Sequence, residues 1–290
     1  MNKLITEPFL FSDHNQQFIN TKEIKDLVEL RPNELLQPHK VSFFAIHLFY
    51  KGKGKHSVDF TTFDIEENNI LFISPNQIAQ FYHPIEYNGK VLIFTEEFFC
   101  RNKVQTQFLG QTNLFNDPLQ LSYFNVGNKL NELLSIFNFI NEGLNRPHNE
   151  IQTSILNNYL FNILLIAEEL YQPQNKMLIT TPDKVLVSKF KSLVNKNINY
   201  QLPLQFYTDQ LHVSLRTLEQ AFNKNEKITP KKFVTDSLVM EIKRNLVFRE
   251  NTISEIAFSL GFKEISNFTK FFKLKTGLTP SQFQKMFQIN

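Results

Sequence analysis

Between about Val41 and Phe99 the apolar residues come in short runs, broken at close intervals. VSFFAIHLFY is dense in aromatic and β-branched residues, and the two glycines of KGKGKH punctuate it. HSVDFTTFDI alternates, with Val58, Phe60 and Phe63 to Ile65 as its apolar positions. ILFISP is a buried-looking run ended by Pro75, and VLIFTEEFF is another, starting just after Asn88-Gly89. Short strands with turn signals at this spacing predict a sandwich or a small barrel.

From about Gly127 the period changes to that of a helix. Leu130, Leu133, Leu134 and Phe137 recur at helical spacing, as do Ile155, Tyr159, Ile163 and Ile166. Arg146-Pro147-His148-Asn149 reads as the break between two helices. The second is apolar on more than one face, because Leu160, Phe161, Leu164 and Leu165 join the stripe. Residues 126–172 are therefore expected to pack under the strands or to pair with a second subunit as a homodimer contact. Residues 173–182, with few large apolar groups, read as a linker. Everything beyond it is helical in pattern.

The clearest stretch is ISEIAFSLGFKEISNFTKFFKLK, Ile253 to Lys275. Ile253, Ile256, Ala257 and Leu260 share one helical face, and Gly261 stands where a chain turns at positive φ. Phe262 plugs the turn, and a second helix is expected from Glu264, with Phe268, Phe271 and Phe272 turned inward. Small Ala257 lets the two helices cross closely. The spacing is that of a helix-turn-helix, whose second helix enters the major groove of DNA; an ordinary helical hairpin would share it. An earlier stretch repeats the pattern. Leu204 to Leu211 supplies a first helix, His212 and Val213 the turn, and Ser214 an N-cap for SLRTLEQAFNK. Leu215, Leu218 and Phe222 are expected inward, leaving Arg216, Glu219 and Gln220 together on the opposite face. Arg and Gln suit guanine and adenine edges, and Glu can accept from cytosine. Between the units, Lys231 to Arg249 places Phe233, Leu238, Ile242 and Leu246 along one side. A helix of that length is a rod of about 28 Å, near the roughly 34 Å between successive major-groove faces.

Composition agrees with two globular domains: 290 residues, 42% hydrophobic and 20% charged. The single cysteine, Cys100, has no partner for an internal disulfide, which fits a reducing compartment. The opening MNKLITEPFLFSD is interrupted by Glu7, Pro8 and Asp13 before it reaches signal-peptide length. The longest apolar stretch, Leu160 to Ala167, is far short of the roughly 20 residues of a membrane span. A cytoplasmic location without membrane contact is expected. Charge adds a direction. From Asp183 onward the chain has 17 Lys and Arg against 9 Asp and Glu, net +8, within an overall +3. The remainder is net −5, so one half is suited to a polyanion and the other is not.

Residues 183–290 resemble the DNA-binding domain of the AraC/XylS family of bacterial regulators, through SLRTLEQAFNKNEKITPKKFV, ISEIAFSLGF and SNFTKFFKLKTGLTPSQF. The last block, with Gly277, Thr279-Pro280 and Phe283, is the most specific. The resemblance implies an all-α domain with two helix-turn-helix units. It makes Ile265, Ser266 and Lys270, with Asn267 and Thr269 nearby, the second set of base-reading candidates. It also implies phosphate contacts at Lys231, Lys263 and Lys273. Departures are Thr208 where a small alanine is usual, His212 in the turn, acidic Glu219, Gln284 where arginine is common, and apolar Ile265, which could touch a thymine methyl. Residues 1–125 are similar to the cupin-like sensor of such regulators, in PHKVSFFAIHLFYKGKGKHSVDF and ILFISPNQIAQF. The whole is then an α+β multidomain chain: an N-terminal cupin-like β-barrel with following helices, and a C-terminal double helix-turn-helix domain.

Its expected partners are double-stranded promoter DNA, RNA polymerase and a second copy of the chain, with a small-molecule effector at the barrel mouth. His39, Gln77, Phe81 and Tyr82 are the ligand-binding candidates. With 31 Phe and no Trp, the barrel interior is expected to be lined by phenylalanine. His39, His47 and His56 are dispersed without a His-x-His pair, and each reads as a surface or barrel-wall histidine. No Ser-His-Asp order or phosphate-binding loop stands out, so no enzyme activity, cofactor or metal is expected. A cupin-type metal enzyme and a helical partner-binding protein are the alternative readings.

Overall fold

A computed structural model of the chain describes residues 5–7, 9, 18–171, 181–248 and 251–286. The expected linker lies, up to residue 180, outside the described residues, as does Arg249. Two compact units emerge, one β-rich and one helical.

The β-rich unit contains ten strands: β1 (Ile5–Glu7), β2 (Ile19–Glu23), β3 (His39–Val41), β4 (Phe44–Gly52), β5 (Gly54–Val58), β6 (Thr61–Ile65), β7 (Asn69–Ile73), β8 (Ile78–Phe81), β9 (Tyr87–Phe94) and β10 (Tyr123–Asn125). They form two five-stranded sheets, in the orders β1-β3-β8-β5-β6 and β10-β7-β4-β9-β2. The β1–β3 pair is parallel and the other pairs are antiparallel. HSVDFTTFDI is a hairpin rather than one strand: β5 and β6 pair across Asp59, which turns at φ 54°. Asn88-Gly89 is not a turn. It lies inside β9, opposite a bulge in β4 between Phe49 and Lys51. A Cβ on Gly89 would sit 2.3 Å from the Leu48 carbonyl oxygen, so the close strand approach requires glycine.

The near-continuous apolar run of β4 follows from burial on both faces. Ala45 and Phe49 point between the sheets, beside Val58, Leu71, Ile73, Phe81, Val91 and Ile93. Ile46 and Leu48 point the other way, with Ile70, Phe72, Leu92 and Phe94, onto a layer of helices. That layer holds α6 (Leu130–Leu144) and α7 (Glu150–Tyr171), preceded by short α3 (Glu96–Phe99), α4 (Lys103–Gln111) and α5 (Asn113–Asn116); α1 (Ile24–Leu30) and α2 (Pro32–Leu35) lie earlier in the chain. TEEFF, expected as strand, is the N-capped α3, with Thr95 accepting from the Phe98 N–H. Most of the large phenylalanines, including Phe72, Phe94, Phe99 and Phe137, belong to this helix-facing core. The expected phenylalanine-lined interior is corrected accordingly: Phe43, Phe49 and Phe81 are the buried phenylalanines between the sheets. On α7 the fully buried residues are Leu156, Leu160, Ile163, Leu164 and Ala167, so Leu160, Ile163 and Leu164 lie where periodicity places them, while Leu156 is buried in place of Ile155. Ile155 is exposed, and Tyr159 stacks on exposed Phe139 with ring centres 5.6 Å apart.

The helical unit contains α8 (Pro182–Lys196), α9 (Leu204–Gln210), α10 (Leu215–Asn225), α11 (Pro230–Phe248), α12 (Ile253–Ser259), α13 (Ile265–Thr276) and α14 (Pro280–Met286), and it takes in residues 116–120. Val187, Phe190 and Val194 of α8 form one core with Tyr207, Leu218, Ala221, Phe222 and Phe233. A run of ring contacts, Phe262–Phe268, Phe268–Phe272 and Phe272–Phe283, fills the region of α12 to α14. Lys191 is buried in this unit between Asp117 and Glu226, 2.7 Å from each. Burial pulls its pKa down, but the two carboxylates outweigh that and raise it. This charge is neutralised internally and contributes nothing to an outward basic surface.

Candidate nucleic-acid interface

The first helix-turn-helix is α9, a turn and α10. His212 turns the chain at φ 54°, and the Val213 N–H donates back to the Thr208 carbonyl at 3.1 Å. Thr208 is fully buried where the helices cross, and its hydroxyl donates to the Gln205 carbonyl at 2.9 Å. A threonine is tolerated there because its polar atom is satisfied within its own helix. Ser214 accepts from the Thr217 N–H at 3.1 Å as the expected N-cap. Leu218, Ala221 and Phe222 are buried, and Arg216, Thr217, Glu219 and Gln220 are exposed. Leu215, expected inward, is 38% exposed, because the first residue of α10 lies beyond the edge of the core.

The second unit follows the same plan. Gly261 turns at φ 87°, and the Phe262 N–H donates to the Ala257 carbonyl at 2.9 Å. A Thr252–Glu255 capping box starts α12, with bonds of 2.7 and 3.2 Å between each backbone N–H and the other side chain. Thr279 and Gln282 make the same reciprocal pair at α14. On α13, Phe268 and Phe272 are buried while Ile265, Ser266, Asn267 and Lys270 are exposed; Thr269 and Phe271 are half-buried. The Ser266 hydroxyl donates to the Glu264 carboxylate at 3.1 Å.

A brace at the second turn has no periodic signal in the sequence. The segment between α8 and α9 lies against it: Tyr200 N–H donates to the Leu260 carbonyl at 2.8 Å, and Gln201 Nε2 to the Gly261 carbonyl at 2.5 Å. The Tyr200 ring stacks on Phe262 with centres 4.0 Å apart. Asn199 packs so closely on Gly261 that any Cβ there would lie 2.1 Å from its Oδ1. Gln284 Nε2 donates to the Leu246 carbonyl at 3.3 Å and so holds α14 to α11. Lys231 is exposed at the start of α11, Lys263 in the second turn and Lys273 in the last turn of α13.

In the β-rich unit a cavity of about 10 Å³, room for roughly one water molecule, is lined by Glu7, His39 and His47 among apolar side chains that include Phe81. His39, His47 and His56 are all buried between the sheets, none of them on the surface. His39 Nδ1 faces the Gln37 carbonyl at 3.0 Å, and its Nε2 lies 3.5 Å from Glu7. His47 Nδ1 and both ring nitrogens of His56 have no hydrogen-bond partner. Burial lowers His39 to about 4 and His47 to about 3 and pushes His56 well below its usual value, while it raises Glu7 to about 7. Gln77 and Tyr82 lie away from the cavity: Gln77 Nε2 donates to Asp59, and the Tyr82 hydroxyl reaches Ser57 at 3.4 Å. Among the described residues, no group of three or more His, Cys, Asp or Glu is placed to hold a metal ion.

Comparison with known proteins addresses both units. Residues 27–158 match the AraC-like ligand binding domain family, and residues 207–286 match a helix-turn-helix domain family. The chain is 24% identical over 250 residues to the Msm operon regulatory protein of Streptococcus mutans, covering 85% of this chain and 86% of that one. It is 22% identical over 277 residues to the HTH-type transcriptional activator RhaS of Mannheimia succiniciproducens, covering 93% and 97%. Among solved structures, ToxT of Vibrio cholerae aligns with a TM-score of 0.44 at 15% identity, over 92% of this chain and 97% of that one.

Proposed function

Because the chain belongs to the AraC family of transcriptional regulators, with a ligand-binding domain ahead of a helix-turn-helix domain, we propose that each subunit reads two successive major-groove segments of a promoter through α10 and α13. One observation carries this reading. Two helices, each packed through one face and exposing polar residues on the other (Arg216, Glu219 and Gln220; Ser266, Asn267 and Lys270), flank in sequence the 19-residue α11. That helix is about 28 Å long, comparable with the rise of one DNA turn. Arg216, Glu219 and Gln220 read base edges in one segment, and Ile265, Ser266, Asn267, Thr269 and Lys270 in the other. Lys231, Lys263 and Lys273 meet phosphates and supply the salt-dependent part of the affinity.

Regulation belongs, in this reading, to residues 1–125 and 126–172. His39, His47 and Phe81 line a cavity with room for about one water molecule, and a small effector would have to open it to reach the unpartnered His47 Nδ1. Exposed Phe139, Ile151, Ile155 and Leu165 on α6 and α7 support a homodimer. The bound dimer recruits RNA polymerase in the cytoplasm as an activator, the mode named for the RhaS relative. No described helix is long and apolar enough to cross a membrane.

The test is selection of duplexes from a random DNA library by the full chain, followed by titration of the winners in rising salt. The expected result is a consensus of two blocks about one helical turn apart, with affinity falling steeply as salt rises. Binding without sequence preference would overturn the reading.

A further inference from the structure

The two recognition helices begin alike. α10 starts at Leu215 after the N-cap Ser214, and α13 starts at Ile265 after the N-cap Glu264. Leu218 and Phe268 are the first buried residues of each, three positions further on, so Leu215 and Ile265 are equivalent. Both are exposed aliphatic side chains, at 38% and 41%. Their neighbours are polar and exposed: Arg216 and Thr217 in one helix, Ser266 and Asn267 in the other.

Nothing in helix stability asks for this. The first position of a helix lies in the positive field of the N–H groups and favours proline or an acidic residue. An aliphatic group that stays 38% or 41% exposed there is only partly packed, and although leucine is a good helix former isoleucine is a mediocre one. The aliphatic group's recurrence at the matched position of both units, where the first helical residue is neither proline nor acidic, points to the duplex. The first residues of a recognition helix are those that reach base edges. Of the groups that distinguish bases in the major groove, one is apolar: the 5-methyl of thymine. The net +8 of this half of the chain matches a polyanion and so favours DNA over an apolar protein partner.

The geometry points to Leu215 and Ile265 as a matched pair of thymine readers, each covering one 5-methyl group, so that each block of the operator carries a thymine at the same place relative to its helix. This rests on the reading of α10 and α13 as recognition helices, and it adds the one base that both must share.

The test uses the full chain and a duplex selected by it, with each thymine replaced in turn by deoxyuridine, which removes the methyl and leaves the pairing edge intact. One thymine in each block should be sensitive, with binding weakened about fourfold, the loss expected for one buried methyl group. Leu215→Ala should abolish the sensitivity in one block and Ile265→Ala in the other. Both residues are surface-exposed, and the measurement on the unaltered chain needs no variant at all. A consensus that forms but tolerates deoxyuridine throughout overturns the thymine assignment and leaves the DNA-reading helices standing. Sensitivity that persists unchanged in both variants also overturns it. Failure to obtain any consensus overturns the underlying reading and this one with it.

Discussion

Thr208 and His212 in the first helix-turn-helix do what Ala257 and Gly261 do in the second. In both units the residue after the left-handed turn donates to the carbonyl of the crossing residue, Val213 to Thr208 and Phe262 to Ala257. The second turn then has one more residue before its recognition helix, since Val213 and Phe262 are followed by helices at Leu215 and Ile265. The first unit reaches the shape with a non-glycine residue at φ 54° and a threonine whose hydroxyl is satisfied by its own helix. The second reaches it with glycine and alanine, and is then held from outside by Asn199, Tyr200 and Gln201. The same geometry can thus be made by local chemistry or by tight packing, and the two routes differ in which substitutions they tolerate.

Gly261→Ala should show the largest effect, because the new Cβ meets Asn199 at 2.1 Å and the residue must keep φ 87°. A loss on the order of 2–3 kcal/mol is expected in chemical denaturation, with specificity lost in one operator block; a variant as stable as the parent would remove the packing account of the second turn. Arg216→Ala should cost roughly 1–3 kcal/mol on the selected duplex and relax one base position. Equal losses on random DNA would reduce Arg216 to a phosphate contact. Exchanging the crossing residues separates the two routes more finely. Ala257→Thr should destabilise by about 1–2 kcal/mol through overpacking, while Thr208→Ala should change stability by less than about 1 kcal/mol; similar values for both would mean that the crossings are equally tight. The smallest effect is a gain. His212→Gly should stabilise by about 0.5 kcal/mol as the left-handed strain is relieved against the added chain entropy, and a clear loss would show that the His212 side chain supports the turn.

The second unit was the more readable in sequence because it obeys local rules: glycine at the positive φ, alanine at the crossing, and aromatic residues at helical spacing. The first unit is legible mainly as its echo, and Leu215 stays partly exposed against its helical periodicity because periodicity does not show where the core stops. In the β-rich unit the run VSFFAIHLFY is legible as β structure, although it spans the end of β3 and most of β4, whereas Asn88-Gly89 reads as the break before a strand. Its glycine instead answers to the Leu48 carbonyl of a neighbouring strand, a contact with no local signature. Of the ligand candidates, His39 and Phe81 line the cavity, whereas Glu7, which completes it, comes from a strand paired in parallel with β3 and could not be foreseen from spacing.

In the helical unit the sequence by itself determined where the recognition helices start and where the chain turns before them, and along the whole chain it determined which half carries the positive charge, because caps, turn residues and periodicity act within a few residues of each other. Only the tertiary structure decided which apolar faces are covered. It set both faces of β4 against cores, left Ile155 and Leu165 of α7 exposed while burying Leu156, Leu160 and Leu164, silenced Lys191 with two carboxylates, and brought three histidines and Glu7 together between the sheets. Those outcomes depend on partners tens of residues away, and burial is a property of the pair in contact, which neither segment carries alone.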